Sequence, residues 1–366
     1  MSKQADTSHS FALWTLAAPA ERIARIVPAF LLFHAVFLFG LQPQLVSASP
    51  PPRPLIRYLN PVTYKITQRI TVTNHDVSEL GLLELNLPIP SDSKEQTVTG
   101  VFAKGDDTFR LPDVDGLGLI VRSLYQGPSV PPGPGQSKQL STIYRLTRQE
   151  VRTDAKVLSN MNYDPYDEHS PERRVYTRSE KTIEADAPDV VRLAKELAAR
   201  SDNPYRFARN AYDYVLDHME YETPSPCHGT AECLQKGRGD CGAYTLLFVG
   251  ICRAGGVPAR PVAGCWALGE NPWHCWAEIQ LPGVGWIPVD PSVGDRGPAD
   301  REFYFGNLDN NRVALAKTFN FTVDTPRGSK DVGFVQVGTW WWYPASGSKG
   351  DKMIVEHHVH GQNAGR

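Results

Sequence analysis

The sequence predicts a β-rich protein that takes in one helical insert. Three observations carry this. Residues 64–73 alternate strictly, with Tyr64, Ile66, Ile70 and Val72 on one face and Lys65, Thr67, Arg69 and Thr71 on the other. Short apolar runs bounded by Pro, Gly and Asp then recur at 80–87, 97–102, 117–124 and 141–151. From Asp189 the period becomes helical. The 30 prolines among 366 residues fit many short elements joined by turns.

Along the chain, the first feature is an export signal shape. Arg22 and Arg25 precede an apolar stretch over 26–41, followed by Val46-Ser47-Ala48 and the breaker Pro50-Pro51-Pro52. Residues 1–48 therefore read as a signal peptide cleaved after Ala48, the preferred reading, or as an uncleaved membrane anchor. The apolar stretch is just short of a span of roughly 17–25 residues. Either way the rest of the chain is expected outside the cytoplasm, in a periplasmic, extracellular or membrane-anchored setting. Charge is nearly balanced, with Lys+Arg 38 against Asp+Glu 40, so nothing electrostatic argues for a nucleic-acid partner.

Residues 55–152 have the strand spacing of an antiparallel β-sandwich. No cluster there suggests chemistry, and packing or substrate presentation is its expected role. Residues 153–187 are polar and read as a linker; the acidic residues around Tyr163-Asp164-Pro165-Tyr166-Asp167-Glu168 lack the spacing of a calcium loop. Two amphipathic helices follow. Residues 189–200 place Val190, Leu193, Ala194 and Leu197 on one stripe, and 204–219 repeat the pattern with Phe207, Ala211, Tyr214, Val215 and Met219.

The chemistry-bearing stretch starts at Gly239-Asp240-Cys241-Gly242 and runs through a buried helix to Gly255-Gly256-Val257-Pro258. Cys241 sits where loop becomes helix, so first-turn N–H groups and the helix dipole favour a thiolate and a developing oxyanion. Downstream, Cys265-Trp266 and His274-Cys275-Trp276-Ala277-Glu278-Ile279 flank the turn Gly269-Glu270-Asn271-Pro272 as a hairpin, with His274, Trp276 and Glu278 on one face. The strand Gly285-Trp286-Ile287-Pro288-Val289 ends in Asp290. A thiol, an imidazole and a carboxylate thus appear in order. The imidazole would take the thiol proton and return it to a leaving amine, with the carboxylate orienting it.

These four ordered motifs resemble the transglutaminase-like superfamily, the papain-like group of cysteine hydrolases and acyltransferases, over about residues 178–305. The resemblance implies an α+β fold with a transglutaminase-like (papain-like) cysteine-hydrolase core over 188–300, C-terminal strands over 301–345 that complete the core sheet, and the N-terminal β-sandwich before it. Residues 346–366 are expected to be a flexible tail. It also implies a catalytic triad of Cys241, His274 and Asp290, acting on a protein or peptide amide without a cofactor or metal. The calcium sites and the two C-terminal β-barrels of the large animal transglutaminases have no counterpart in the sequence. Nor does their upstream transition-state Trp, since no Trp lies between Trp14 and Trp266. Tyr221, or Gln235 six residues before Cys241, is left as the side-chain oxyanion donor beside the Cys241 N–H.

Simpler roles compete at each position. A lone cysteine is most often a small core residue, a lone histidine a satisfied core one, and an Asp before Pro a turn starter. Trp276 lines or buttresses the cleft, and Glu278 is structural. Residues Trp340-Trp341-Trp342-Tyr343 read as a strand buried on both faces sooner than as a carbohydrate platform. With Cys241 as nucleophile, five cysteines remain. Cys227 and Cys233 are close in one loop, Cys265 and Cys275 flank the hairpin turn, and Cys252 should face the core; pairing stays open. The expected activity is acyl transfer from an amide through a Cys241 thioester, with hydrolysis favoured over cross-linking. A papain-like peptidase on cell-wall or extracellular peptides and a catalytically silent scaffold are the alternatives.

Overall fold

In the computed structural model, residues 54–365 are described except 77–79, 106–107, 112–118, 126–130, 270–272, 334–335 and 346–351. The expected leader over 1–48 lies outside the described residues. Among those described, no helix is long and apolar enough to cross a membrane.

The chain opens with six strands: β1 (Ile56–Asn74), β2 (Leu80–Ile89), β3 (Gln96–Lys104), β4 (Thr108–Leu111), β5 (Leu119–Tyr125) and β6 (Ser137–Thr153). Alternation in β1 does what the period predicts: Tyr64, Ile66, Ile70 and Val72 are all buried. Ile70 and Val72 join Leu83, Leu85 and Leu87 of β2 and Leu140 of β6 in one apolar cluster. Farther along the same face, Tyr64, Ile66, Tyr144 and Leu146 pack on Cys265, Val313 and Leu315 of the next part of the chain. The β region therefore braces the outer face of the core sheet.

Residues 153–187 are not a solvated linker. They form α1 (Ala155–Asn160) and α2 (Pro171–Tyr176), and they pack. Leu158 and Ile183 are fully buried in the core cluster. The Tyr166 hydroxyl donates to the Gln280 carbonyl at 2.8 Å, and the Arg178 carbonyl accepts from Arg253. A few apolar and aromatic side chains among many polar ones suffice to hold this strap down, because each finds a carbonyl or a core pocket.

Next come α3 (Pro188–Ala198), α4 (Pro204–His218), β7 (Glu220–Tyr221), α5 (Thr230–Lys236), β8 (Arg238–Gly239) and α6 (Cys241–Ala254). In α3 the buried residues are the four of the expected stripe. In α4 Tyr212 is buried, whereas Tyr214 is only half-buried and stacks on His218. Almost every side chain of α6 is buried, as its lack of a polar face requires. Against it lies a sheet of β9 (Ala259–Trp266), β10 (Trp273–Leu281) and β11 (Gly285–Val289), followed by the short helices α7 (Pro291–Gly294) and α8 (Pro298–Phe303) and by β12 (Arg312–Ala316). The order is β11-β10-β9-β12, all antiparallel. At Gly264 in β9, a Cβ would run into the Val313 carbonyl of β12, so only glycine lets the two strands close here.

Beyond β12 the expectation of strands completing the core sheet is corrected. After the hairpin of β13 (Phe321–Thr325) and β14 (Gly328–Val332), β15 (Thr339–Pro344) crosses back to pair with β2. Trp340 and Trp342 pack on the β-region cluster and Trp341 on the core cluster, so both faces of the aromatic run are partly covered. Within the 301–345 stretch expected to hold strands, residues 334–335 lie outside the described residues and 336–337 form a bend. Nor is the C-terminus a free tail: β16 (Met353–Asn363) pairs antiparallel with β1 from Asn74 back to Tyr64. Its own alternation explains this, with Met353, Val355, His357 and Val359 turned inward. Two four-stranded antiparallel sheets result, β16-β1-β6-β3 and β15-β2-β5-β4.

Cysteine pairing is settled in one place. Cys227 and Cys233 form a disulfide, whereas Cys241, Cys252, Cys265 and Cys275 are free. Cys265 faces Trp273 across the hairpin and Cys275 faces Ala263, so the two are out of register for a bridge. Replacing both Cys227 and Cys233 with Ser should lower stability by about 2 kcal/mol, the chain-entropy value for so short a loop. A denaturant midpoint unchanged from the parent would refute it.

Candidate active site

Each element delivers one group. At the start of α6, the Asp240 side chain caps the helix by accepting from the Gly242 and Ala243 N–H groups at 2.9 and 3.1 Å. That cap orients the first turn and puts Cys241 at N1, where the dipole favours negative charge on its sulfur. From β10, His274 faces the same spot, and Cys275 beside it turns into the core cluster against which Cys241 packs. Past β11, Asp290 caps α7, accepting from Val293 N–H at 3.2 Å.

The geometry joins His274 to Asp290 directly. His274 Nε2 lies 2.8 Å from Asp290 Oδ2, both side chains nearly or fully buried. The same oxygen receives Arg312 from β12, with Nη2 at 3.0 Å and Nε at 3.3 Å. Arg312 in turn reaches Asp309 at 3.0 Å and lies 3.4 Å over the Trp266 ring. Trp266 is 5.0 Å from the His274 ring, and Trp276 flanks it at 6.2 Å, so the imidazole is held between two indoles.

Electrostatics follow from these contacts. Interaction with the Cys275 thiol, against the penalty of burial, and then with His274 holds the Cys241 thiol well below its usual range. Burial pulls His274 down, but Asp290 and then Cys241 outweigh it and raise the imidazole to about 9. Burial would raise Asp290, yet His274 and Arg312 bring it to about 2. Near neutral pH these directions describe a thiolate, an imidazolium and a carboxylate.

The other expected site residues separate. Tyr221 is 57% exposed at the mouth, beside the Cys241 backbone amide; burial and then the Cys241 and Asp240 charges raise its phenol. Gln235 is not there: it lies on α5 in a surface hollow with Asp189, Arg192 and Tyr214. The residues before Cys241 form a helix and a short strand, which turn Gln235 away. Trp276 is 1% exposed and packs on Val151, Val262 and Leu308, a buttress beneath His274 and not a cleft wall. Glu278 pairs with Arg260 at 2.7 Å and Lys317 at 3.0 Å; burial opposes ionisation, but Lys317 and then Arg260 lower it to about 2. It lines a cavity of about 250 Å³ with Glu95, Arg260, Trp286 and Lys317, which holds none of Cys241, His274 and Asp290.

Residues 191–291 match the family model described as the transglutaminase-like superfamily. That stretch of the chain is a transglutaminase-like core. A solved candidate cysteine protease from Cytophaga hutchinsonii superimposes with a TM-score of 0.61 at 15% identity, covering 85% of this chain and 94% of that one. The likeness in fold thus takes in the β region as well as the core. The periplasmic domain of TgpA from Pseudomonas aeruginosa aligns over 63% of this chain and 88% of its own, at 16% identity and a TM-score of 0.32. Red sea bream transglutaminase aligns over 72% and 57%, at 12% identity and 0.27. No curated protein sequence matches the chain.

Within this transglutaminase-like core, sequence reasoning overlooked Arg312, Trp266 and the second thiol, Cys275. Arg312 carries no motif; its role depends on β12 pairing with β9. Cys275 was legible as the neighbour of His274 and as one of two cysteines flanking the hairpin turn.

Proposed function

We propose that this protein is an exported cysteine enzyme that cleaves or transfers an acyl group from a protein or peptide amide through a Cys241 thioester, with hydrolysis favoured over cross-linking. The buried His274, Asp290 and Arg312 chain, with the partly buried Cys241 at the start of α6, carries the reading. The Cys241 thiolate attacks the amide carbonyl, and the oxyanion meets the Cys241 N–H and the Tyr221 hydroxyl. The His274 imidazolium passes its proton to the departing amine, which leaves an acyl-enzyme and a neutral imidazole. Water then gives His274 a proton as it attacks the thioester, releasing the acid and restoring the ion pair. Asp290 holds the ring throughout, and no metal or cofactor enters these steps. Export is supported by the leader pattern and by the Cys227–Cys233 disulfide, a bond that persists in oxidising compartments.

Iodoacetamide labelling of Cys241 across pH tests the ion pair. Labelling should be fast already at neutral pH, with little gain toward the usual thiol value of 9.0. A rate that climbs steadily to that pH would sink the enzyme reading. Stability should follow the same groups. His274, raised from 6.5 to about 9, stabilises the fold fully below 6.5 and loses that contribution as pH rises through about 9. Asp290, lowered from 3.8 to about 2, contributes above 3.8 and loses its contribution as pH falls toward about 2. Turnover of labelled peptide amides, with and without an amine acceptor, separates hydrolysis from transfer.

A further inference from the structure

β16 borders its sheet and pairs with β1 on one side only. The ladder shows which of its backbone groups are free. His75 N–H donates to the Lys352 carbonyl at 2.8 Å and Ala364 N–H to the Thr63 carbonyl at 2.9 Å, so in this register the even-numbered residues of β16 bond to β1. The odd-numbered residues Met353, Val355, His357, Val359 and Gly361 turn their N–H and C=O groups away from β1, and no hydrogen bond reaches those groups among the described residues. The even-numbered side chains are exposed, Ile354 by 51%.

The other borders carry the devices that stop a further strand from adding. β3 has a bulge at Val98/Gly100 and ends in Lys104, β15 has a bulge and Pro344, and β4 is only 4 residues long. In the core sheet β11 contains Pro288 and β12 has a bulge at Ala314/Ala316. β16 runs for 11 residues with no bulge, no proline and no lysine or arginine.

We propose that β16 is a self-association edge: two copies of this chain pair antiparallel through it about a twofold axis at His358, joining their sheets into one. Parity restricts the register. Odd-numbered residues must face odd-numbered ones, because only these have free backbone groups, and a slip of one residue would also turn the inward side chains outward. Among the registers left, the one centred on His358 pairs the whole strand: Met353 with the partner's Asn363, Val355 with the partner's Gly361 and His357 with the partner's Val359. It also sets complementary side chains together on the exposed face. Glu356 meets the partner's His360, a carboxylate against an imidazole that can donate to it, and symmetry makes the contact twice. A second copy thus supplies both the partners that the edge backbone lacks and a donor for Glu356.

Sedimentation velocity of the purified protein should show a species of twice the chain mass that dissociates on dilution. Val359→Pro removes an edge N–H that β1 does not use, so it should leave monomer alone with circular dichroism unchanged. His360→Glu sets a carboxylate opposite Glu356 and should weaken association about tenfold; adding Glu356→Lys should restore it. His358→Cys, at the axis, should give a disulfide-linked dimer mapped to residue 358 of both chains, since facing Cα atoms in such a pair lie about 4.5 Å apart. Glu356→Cys should give no such link. A monomer at every concentration overturns the pairing, as does a dimer that survives Val359→Pro and yields no link at 358. Where Val359→Pro fails to fold, the charge swap and the link at the axis decide.

Discussion

Cys241→Ala should abolish acyl transfer, cutting turnover roughly 10⁴-fold or more while the fold persists, because the thioester has no other sulfur to form on. Cys275 cannot substitute, being 2% exposed and held protonated by its interaction with Cys241 and by burial. The alanine is small, and α6 keeps its Asp240 cap, so thermal unfolding should move little. In the parent enzyme, activity should fall on the alkaline side as His274 loses its proton near about 9, since the neutral ring cannot protonate the leaving amine. Peptide-amide turnover against pH checks both statements. Equal activity in the parent and the alanine variant would establish the silent-scaffold reading instead.

Arg312→Met should show the second large effect, and on two separate readouts. Asp290 and Arg312 are both fully buried and share one carboxylate oxygen with His274. Removing the cation leaves a buried carboxylate with one charged partner fewer, a change that costs about 3–5 kcal/mol. The pH profile should shift as well. Without Arg312 the Asp290 oxygen belongs to His274 alone, and a positive charge near the imidazolium is gone. Both changes favour the protonated ring, so the alkaline limb should move above about 9. A purely structural arginine would lower stability and leave that limb in place. Arg312→Lys restores charge without the planar stack on Trp266 and should recover only part of the stability.

The three candidate side chains stand out in the sequence for a simple reason. Cys241, His274 and Asp290 each sit at the edge of a regular element whose own pattern marks the boundary: a glycine-rich helix entry, an aromatic strand after a turn, and a strand ending before proline. Periodicity also placed the α3 stripe and the inward face of β1, since both are statements about one element's own surface. The failures are of another kind. Gln235 was chosen by distance along the chain from Cys241, but α5 turned it outward. Residues 353–363 were set down as a tail although Met353, Val355, His357 and Val359 alternate as β1's do, and their partner strand lies nearly 300 residues earlier.

What the β-rich sequence determined by itself was local: which segments alternate, which spiral, and which three side chains stand at their ends. Tertiary structure alone decided which strands pair and what surrounds the imidazole. Pairing is a long-range choice, resolved when a half-buried strand finds the face that hides it, so β15 and β16 closed the N-terminal sheets. Arg312 and Trp266 reach His274 and Asp290 for the same reason: β12 lies beside β9. The charge state of the site depends on that neighbourhood, because burial penalises each charge and only partners brought from distant strands repay it.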